Sequence, residues 1–93
     1  MSTLAYQDDV RPVDHGLEVE AVARRALPTL AADAPIPTDV PLTRLGLSSL
    51  GSVSLMMAIE DHFKIVVPDA DLRPENFRNL GAIQALVARL LGA

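Results

Sequence analysis

The sequence has no cysteine and no tryptophan, and only one tyrosine and two phenylalanines among its 93 residues. Without cysteine it has no disulfide framework, thiolate metal site or cysteine nucleophile. Only His15 and His62 remain as imidazoles, and neither has a spacing to other ligands that suggests a metal, so no metal site is expected. A basic excess is also missing. Eight Lys and Arg against twelve Asp and Glu give a formal charge of −4, and the scattered cations do not make a phosphate-binding surface, so nucleic acid is not an expected partner. No apolar run approaches the roughly 20 residues that span a bilayer, so no membrane partner is expected. The start, "MSTLAYQDDVRPVDHG", is acidic and polar where a secretory leader is basic and then apolar. A cytoplasmic protein is expected.

What remains is a chain that is 49% apolar and dominated by Ala and Leu, a mixture that favours packed helices and suffices for one modest core. Residues 1–13 lack apolar periodicity and read as a flexible N-terminal arm, leaving 14–93 as the folded domain. From Asp14, a plausible N-cap, apolar residues Val19, Val22, Ala23, Ala26, Leu27 and Leu30 recur at spacings of three and four. This predicts a first helix that ends or kinks near Pro28, anywhere from Leu27 to Ala32. "ADAPIPTDVPLTRLG" is too rich in proline to be helical and reads as a long crossing loop. Its residues Ile36, Val40, Leu42 and Leu45 are expected to fold back onto the core.

A second helix is predicted from Ser48 to about Phe63. "KIVVPDADL" follows as an apolar connector, since its β-branched triplet has no second strand to pair with. "LRPENF" suggests a short helical turn with Pro74 in its first position and Phe77 as a buried anchor. A last helix follows Asn79, with Leu80, Ile83, Leu86, Val87, Leu90 and Leu91 on its apolar face. The expected architecture is all-α: a four-helix bundle of three longer helices and one short one, with a long first loop.

At about 100° per residue, Ser52, Leu55, Met56, Ile59 and Phe63 form one stripe of the second helix. Leu50, Val53 and Met57 form a second ridge on the other side, beside Ser54 and Asp61. Either the bundle surrounds this helix and buries both ridges, or the second ridge docks partners. Ser48 and Ser49 lie at the start of the same helix, where unpaired N–H groups and the helix dipole favour negative charge. A phosphate attached there would be stabilised, and a plain capping serine is the commonest alternative.

The run "LGLSSLGSVSLMMAIEDHFKIVVPD" resembles the acyl carrier protein family, whose domains carry a Leu-Gly-x-Asp-Ser-Leu motif, an apolar helix ending in acid-acid-x-Phe, and Ile-Pro-Asp. Leu45-Gly46, Glu60-Asp61-His62-Phe63 and Val67-Pro68-Asp69 fall at the family's distances on either side of Ser49-Leu50. "PENFRNLGAIQALV" resembles the family's short third and its fourth helix, so the likeness spans roughly residues 15 to 91. It implies that Ser49 is esterified by a 4′-phosphopantetheine arm. The chain departs from the family pattern at Ser48, in place of the usual Asp, and at Gly51 and Ser54, where acids are common.

The resemblance implies a non-enzymatic carrier that holds acyl or aminoacyl intermediates as thioesters. The expected partners are a phosphopantetheinyl transferase, an adenylating ligase or acyltransferase that loads or unloads the arm, and polyketide synthase or nonribosomal synthetase enzymes. With the first half of the second helix neutral, recognition is expected to rest on Ser48, Leu50, Val53, Ser54 and Met57, with Glu60 and Asp61 as the remaining acids. A free-standing, monomeric carrier of secondary metabolism is expected. The rival is an unmodified helical adaptor that binds proteins through Leu50, Val53 and Met57. Both histidines are expected to be plain surface residues.

Overall fold

The computed structural model describes residues 15–31 and 33–92. The expected arm and the Asp14 cap lie outside that range. Among the described residues there are three α-helices and no strand: α1 (His15–Arg25), α2 (Ser49–Phe63) and α3 (Leu80–Leu90). None is long and apolar enough to cross a membrane.

Helix α1 ends two residues before Leu27, earlier than the Pro28 signal alone suggests. A residue preceding proline is pushed out of the α region, and the chain closes with tighter bonds from Ala26 N–H to the Ala23 carbonyl (2.9 Å) and from Leu27 N–H to that of Arg24 (3.1 Å). Helix α2 begins one residue after its Ser48 cap and ends at Lys64. That residue adopts the left-handed conformation (φ 56°), and Ile65 N–H bonds back to the Glu60 carbonyl at 3.0 Å, the long closing bond of a Schellman turn. Helix α3 starts where Asn79 predicts, with Asn79 Oδ1 accepting the Ala82 N–H at 2.8 Å.

The expected short fourth helix is not one. Residues Asp69–Asp71 and Pro74–Asn76 form two single 3₁₀ turns. Pro74 opens the second turn as expected, but Phe77 N–H closes onto the Pro74 carbonyl at 3.0 Å, and three residues between extended Arg73 and non-helical Phe77 leave no length for α-helical bonds to propagate. Phe77 is half-buried against the core.

Helix α1 packs against both α2 and α3, with Val19, Val22 and Ala23 buried between them. From α2 come Leu55 and Ile59, and from α3 Leu80, Ile83 and Val87. Ser52, Met56 and Phe63, expected on the same face of α2, lie half-buried at its margins. Each fully buried aliphatic side chain contributes about 1.5–3 kcal/mol relative to exposure.

The crossing loop folds back as expected: Ile36 and Leu42 are buried, Val40 and Leu45 half-buried. Backbone bonds pin it to the start of α3, from Gly81 N–H to the Thr38 carbonyl and from Leu42 N–H to that of Arg78, both at 2.9 Å. A side chain at Gly81 would begin 3.0 Å from the Thr38 carbonyl oxygen, so glycine permits this approach.

His62 is exposed, as expected, but also bridges two helices, and His15 is half-buried, not a plain surface residue. His62 Nε2 lies 3.0 Å from Glu18 Oε1 and links α2 to α1. His15 stands edge-on to Phe63, with ring centroids 6.1 Å apart. Its Nδ1 is buried without a hydrogen-bond partner among the described residues.

Candidate functional site

The approach to α2 is fixed residue by residue. Leu42–Leu45 forms a 3₁₀ turn, and Gly46 ends it at φ 104°, a left-handed conformation that glycine adopts without strain. A Cβ on Gly46 would also sit 2.6 Å from Thr29 Oγ1. The next residue, Leu47, is buried and sends its N–H to the Leu42 carbonyl at 3.0 Å. The reversal and its apolar anchor therefore set where the following serines emerge.

Ser48 is extended (φ −88°, ψ 171°), and its Oγ accepts the Gly51 N–H at 2.9 Å. It caps the helix in place of the acid the family pattern carries. Ser52 Oγ donates to the Ser48 carbonyl at 3.1 Å. Ser49 is the first residue of α2 and exposed, and its hydroxyl has no hydrogen-bond partner among the described residues. Ser54 is exposed on the helix surface.

Loss of the Ser48 cap has a measurable cost. Ser48→Ala is expected to lower unfolding free energy by about 0.5–2 kcal/mol, whereas Ser48→Asp keeps an acceptor and adds charge favourable to the helix dipole. Thermal melts should place Ser48→Asp at or above the parent and Ser48→Ala below it. Equal melting temperatures for all three would contradict the cap's contribution.

An exposed hydroxyl at the first position of a 15-residue helix has the surroundings a phosphodiester needs. The N–H groups of the first turn have no intrahelical acceptor, and the helix dipole places positive potential there. The Ser48 hydroxyl takes only the Gly51 N–H, leaving those of Ser49 and Leu50 without an intrahelical acceptor. No acid lies in the first turn, so that turn holds no side chain that repels an anion. The residues present fit a phosphate-linked arm on Ser49.

Beyond Ser49 the ridge is open. Leu50 is 77% exposed, Val53 55% and Met57 59%, so the surrounding chain does not bury it. Asp61 is exposed at the far end of α2, with its Oδ1 3.8 Å from Lys64 Nζ. Glu60 behaves differently from the other residues expected on the docking face. It is half-buried, and its Oε2 accepts the Val67 N–H at 2.9 Å, fastening the connector beneath the helix.

Next to this ridge lies a groove of about 710 Å³ between α2 and residues 72–78. Leu47, Val53, Met56, Leu72 and Phe77 supply apolar surface, and Arg73, Glu75 and Arg78 its charge. Sequence reasoning missed it. The two arginines flanking "PENF" are a local signal, but only the fold brings that turn beside α2. Among the described residues no three His, Asp or Glu side chains group as a metal site.

The model of the phosphopantetheine attachment site family matches residues 18–90. Aminoacyl carrier protein 2 of Bradyrhizobium diazoefficiens is 35% identical over 75 residues, covering 81% of this chain and 84% of the relative. A chain in the crystal structure of engineered Bradyrhizobium japonicum glycine:[carrier protein] ligase complexed with carrier protein from Agrobacterium tumefaciens and ATP is similar with TM-score 0.59 and 33% identity, over 76% of this chain and 97% of that one. A chain in the structure of the Bradyrhizobium japonicum ligase complexed with glycylated carrier protein shares the fold, with TM-score 0.67 at 24% identity over 76% of this chain and 95% of that one.

Proposed function

The chain belongs to the phosphopantetheine attachment family of acyl and peptidyl carrier proteins, and from that premise we propose that Ser49 bears the arm and that the cargo is an amino acid loaded by an adenylating ligase. A carrier of this family is not an enzyme; its covalent 4′-phosphopantetheine supplies the thiol that holds cargo as a thioester, and partner enzymes supply the catalysis. The observation that carries the Ser49 assignment is its hydroxyl, exposed at the first position of α2 with no hydrogen-bond partner among the described residues. A transferase acting on coenzyme A joins that oxygen to phosphorus, releases the adenosine bisphosphate half, and takes up the hydroxyl proton.

Aminoacyl cargo is supported by relatives named as aminoacyl carriers and by fold neighbours solved with a glycine ligase. Adenylation consumes ATP, and coenzyme A supplies the arm, which favours a cytoplasmic setting. We place the consumer of the aminoacyl group in nonribosomal-peptide or polyketide assembly, a reading supported by the acid-poor start of α2. The chain's own contribution is to hold the tether at a fixed point and to present a face for transient docking, which raises the local concentration of cargo at each enzyme.

Intact mass is the test. Coenzyme A with a phosphopantetheinyl transferase should add one phosphopantetheinyl group, and ATP, glycine and the B. japonicum glycine:[carrier protein] ligase should then add one glycyl group. Absence of the first step favours the unmodified adaptor; the first step without the second overturns loading by such a ligase.

The Leu50, Val53 and Met57 ridge is the proposed docking face, beside Ser48, Ser54 and Asp61. Glu60 is the weakest member of the expected set, because its carboxylate is engaged with Val67. Val53→Asp and Met57→Asp are expected to raise the KM for loading more than tenfold while leaving the melting temperature nearly unchanged. Each buries a charge at an interface that prefers apolar contact. Unchanged loading kinetics in folded variants would count against the ridge.

A further inference from the structure

We propose that the groove between α2 and residues 72–78 is a second docking element for the loading ligase, taking an apolar projection of that enzyme flanked by a carboxylate, with Arg78 as the selecting charge. The proposal rests on the carrier reading above and adds the chemistry of the partner surface.

Three observations support this occupant. First, the groove is continuous with the exposed ridge, because Val53 belongs to both. A partner seated on Leu50, Val53 and Met57 therefore meets the groove's edge without further movement.

Second, the rim carries a net positive charge on a chain whose total is −4. Arg73 Nη1 lies 3.8 Å from Glu75 Oε2, whereas the exposed Arg78 guanidinium has no ion pair with a described residue. The acids of α2 do not neutralise it. None lies in the first turn, Glu60 is occupied by Val67 N–H, and Asp61 faces Lys64 at the far end. A guanidinium without an ion pair among the described residues, set beside apolar surface, is complementary to a carboxylate beside an apolar side chain.

Third, the same charge disfavours the protein's own loaded arm as occupant. An aminoacyl thioester ends in an ammonium group, which Arg78 repels.

The experiment uses holo protein, its modification confirmed by intact mass, and glycine loading by the B. japonicum glycine:[carrier protein] ligase with ATP. Arg78→Glu is expected to raise KM about five- to tenfold with kcat little changed, the mark of a rim charge that guides association. The effect should shrink at high salt, and Arg78→Lys should stay close to the parent. The Arg78 carbonyl that binds Leu42 N–H is untouched by either substitution, so both variants should melt with the parent.

A KM for Arg78→Glu equal to the parent's overturns the proposal, as does a shift that persists at high salt and accompanies a lowered melting temperature. Amide NMR shifts at Leu72, Phe77 and Arg78 on glycylation, measured after the ligase is removed, would overturn it in favour of the arm itself. Failure of the parent to gain the phosphopantetheinyl increment refutes the carrier reading before Arg78 is tested, and failure of the glycyl increment alone overturns the ligase as the groove's occupant.

Discussion

Ser49→Ala is expected to remain at its unmodified mass after incubation with coenzyme A and a phosphopantetheinyl transferase, while the parent and Ser52→Ala each gain one phosphopantetheinyl group. The effect is all or none, because alanine has no oxygen to form the phosphodiester. Four serines lie within seven residues of α2's start, and their environments separate them. Ser48 Oγ is committed to Gly51 N–H and Ser52 Oγ to the Ser48 carbonyl. Among the described residues, only Ser49 combines exposure, a hydroxyl without a hydrogen-bond partner there, and the first helical position. Since that hydroxyl supports nothing in the fold, Ser49→Ala should melt within a degree or two of the parent. Lost modification with an unchanged melt therefore reports chemistry, not unfolding. Modification that persists in Ser49→Ala would refute the assignment.

Ile59→Ala is expected to lower unfolding free energy by about 2–5 kcal/mol, the range for truncating a buried aliphatic residue. Ile59 is fully buried in the core shared with α1 and α3, so the lost packing leaves a cavity. In a domain of this size each kcal/mol is worth about 4–8 °C in melting temperature, and the whole fold rests on only about 5–15 kcal/mol. The melt should therefore fall by at least about 8 °C on this scale. Met57, two residues away, is 59% exposed, and Met57→Ala should change the melt little. Circular dichroism melts of the two variants thus test which face of α2 supports the fold and which is left for partners. Similar small shifts for both would contradict the packing of α2.

Much of the molecule was legible because its signals are local. Asn79 and Ser48 cap the helices they precede, since a side-chain acceptor needs only the next turn to act. The apolar periodicity of α3 identified Leu80, Ile83, Leu86 and Val87, all buried. The distances from Leu45-Gly46 through Ser49 to Val67-Pro68-Asp69 pointed to a carrier family, and the family match agrees. The short helix at Pro74 was misjudged because α and 3₁₀ turns share the same opening signal, and only the number of residues free to propagate distinguishes them. The family resemblance implies Glu60 as a docking acid, and the Val67 N–H that occupies it arrives by way of a chain reversal at Lys64. His62 and Glu18 are 44 residues apart, and no spacing rule connects them.

The sequence by itself determined the helical class, the starts of α2 and α3, the two-faced character of α2 and the candidate serine. Each of these follows from bonds or periodicities within one or two turns of chain. Tertiary structure alone decided which ridge stays open, that Glu60 serves the connector, and that Arg78 stands at the rim of an apolar groove with no ion pair to a described residue. These depend on how α1, the crossing loop and residues 72–78 pack around α2. Such contacts are set by burial among distant residues, and burial is a property of the assembled core.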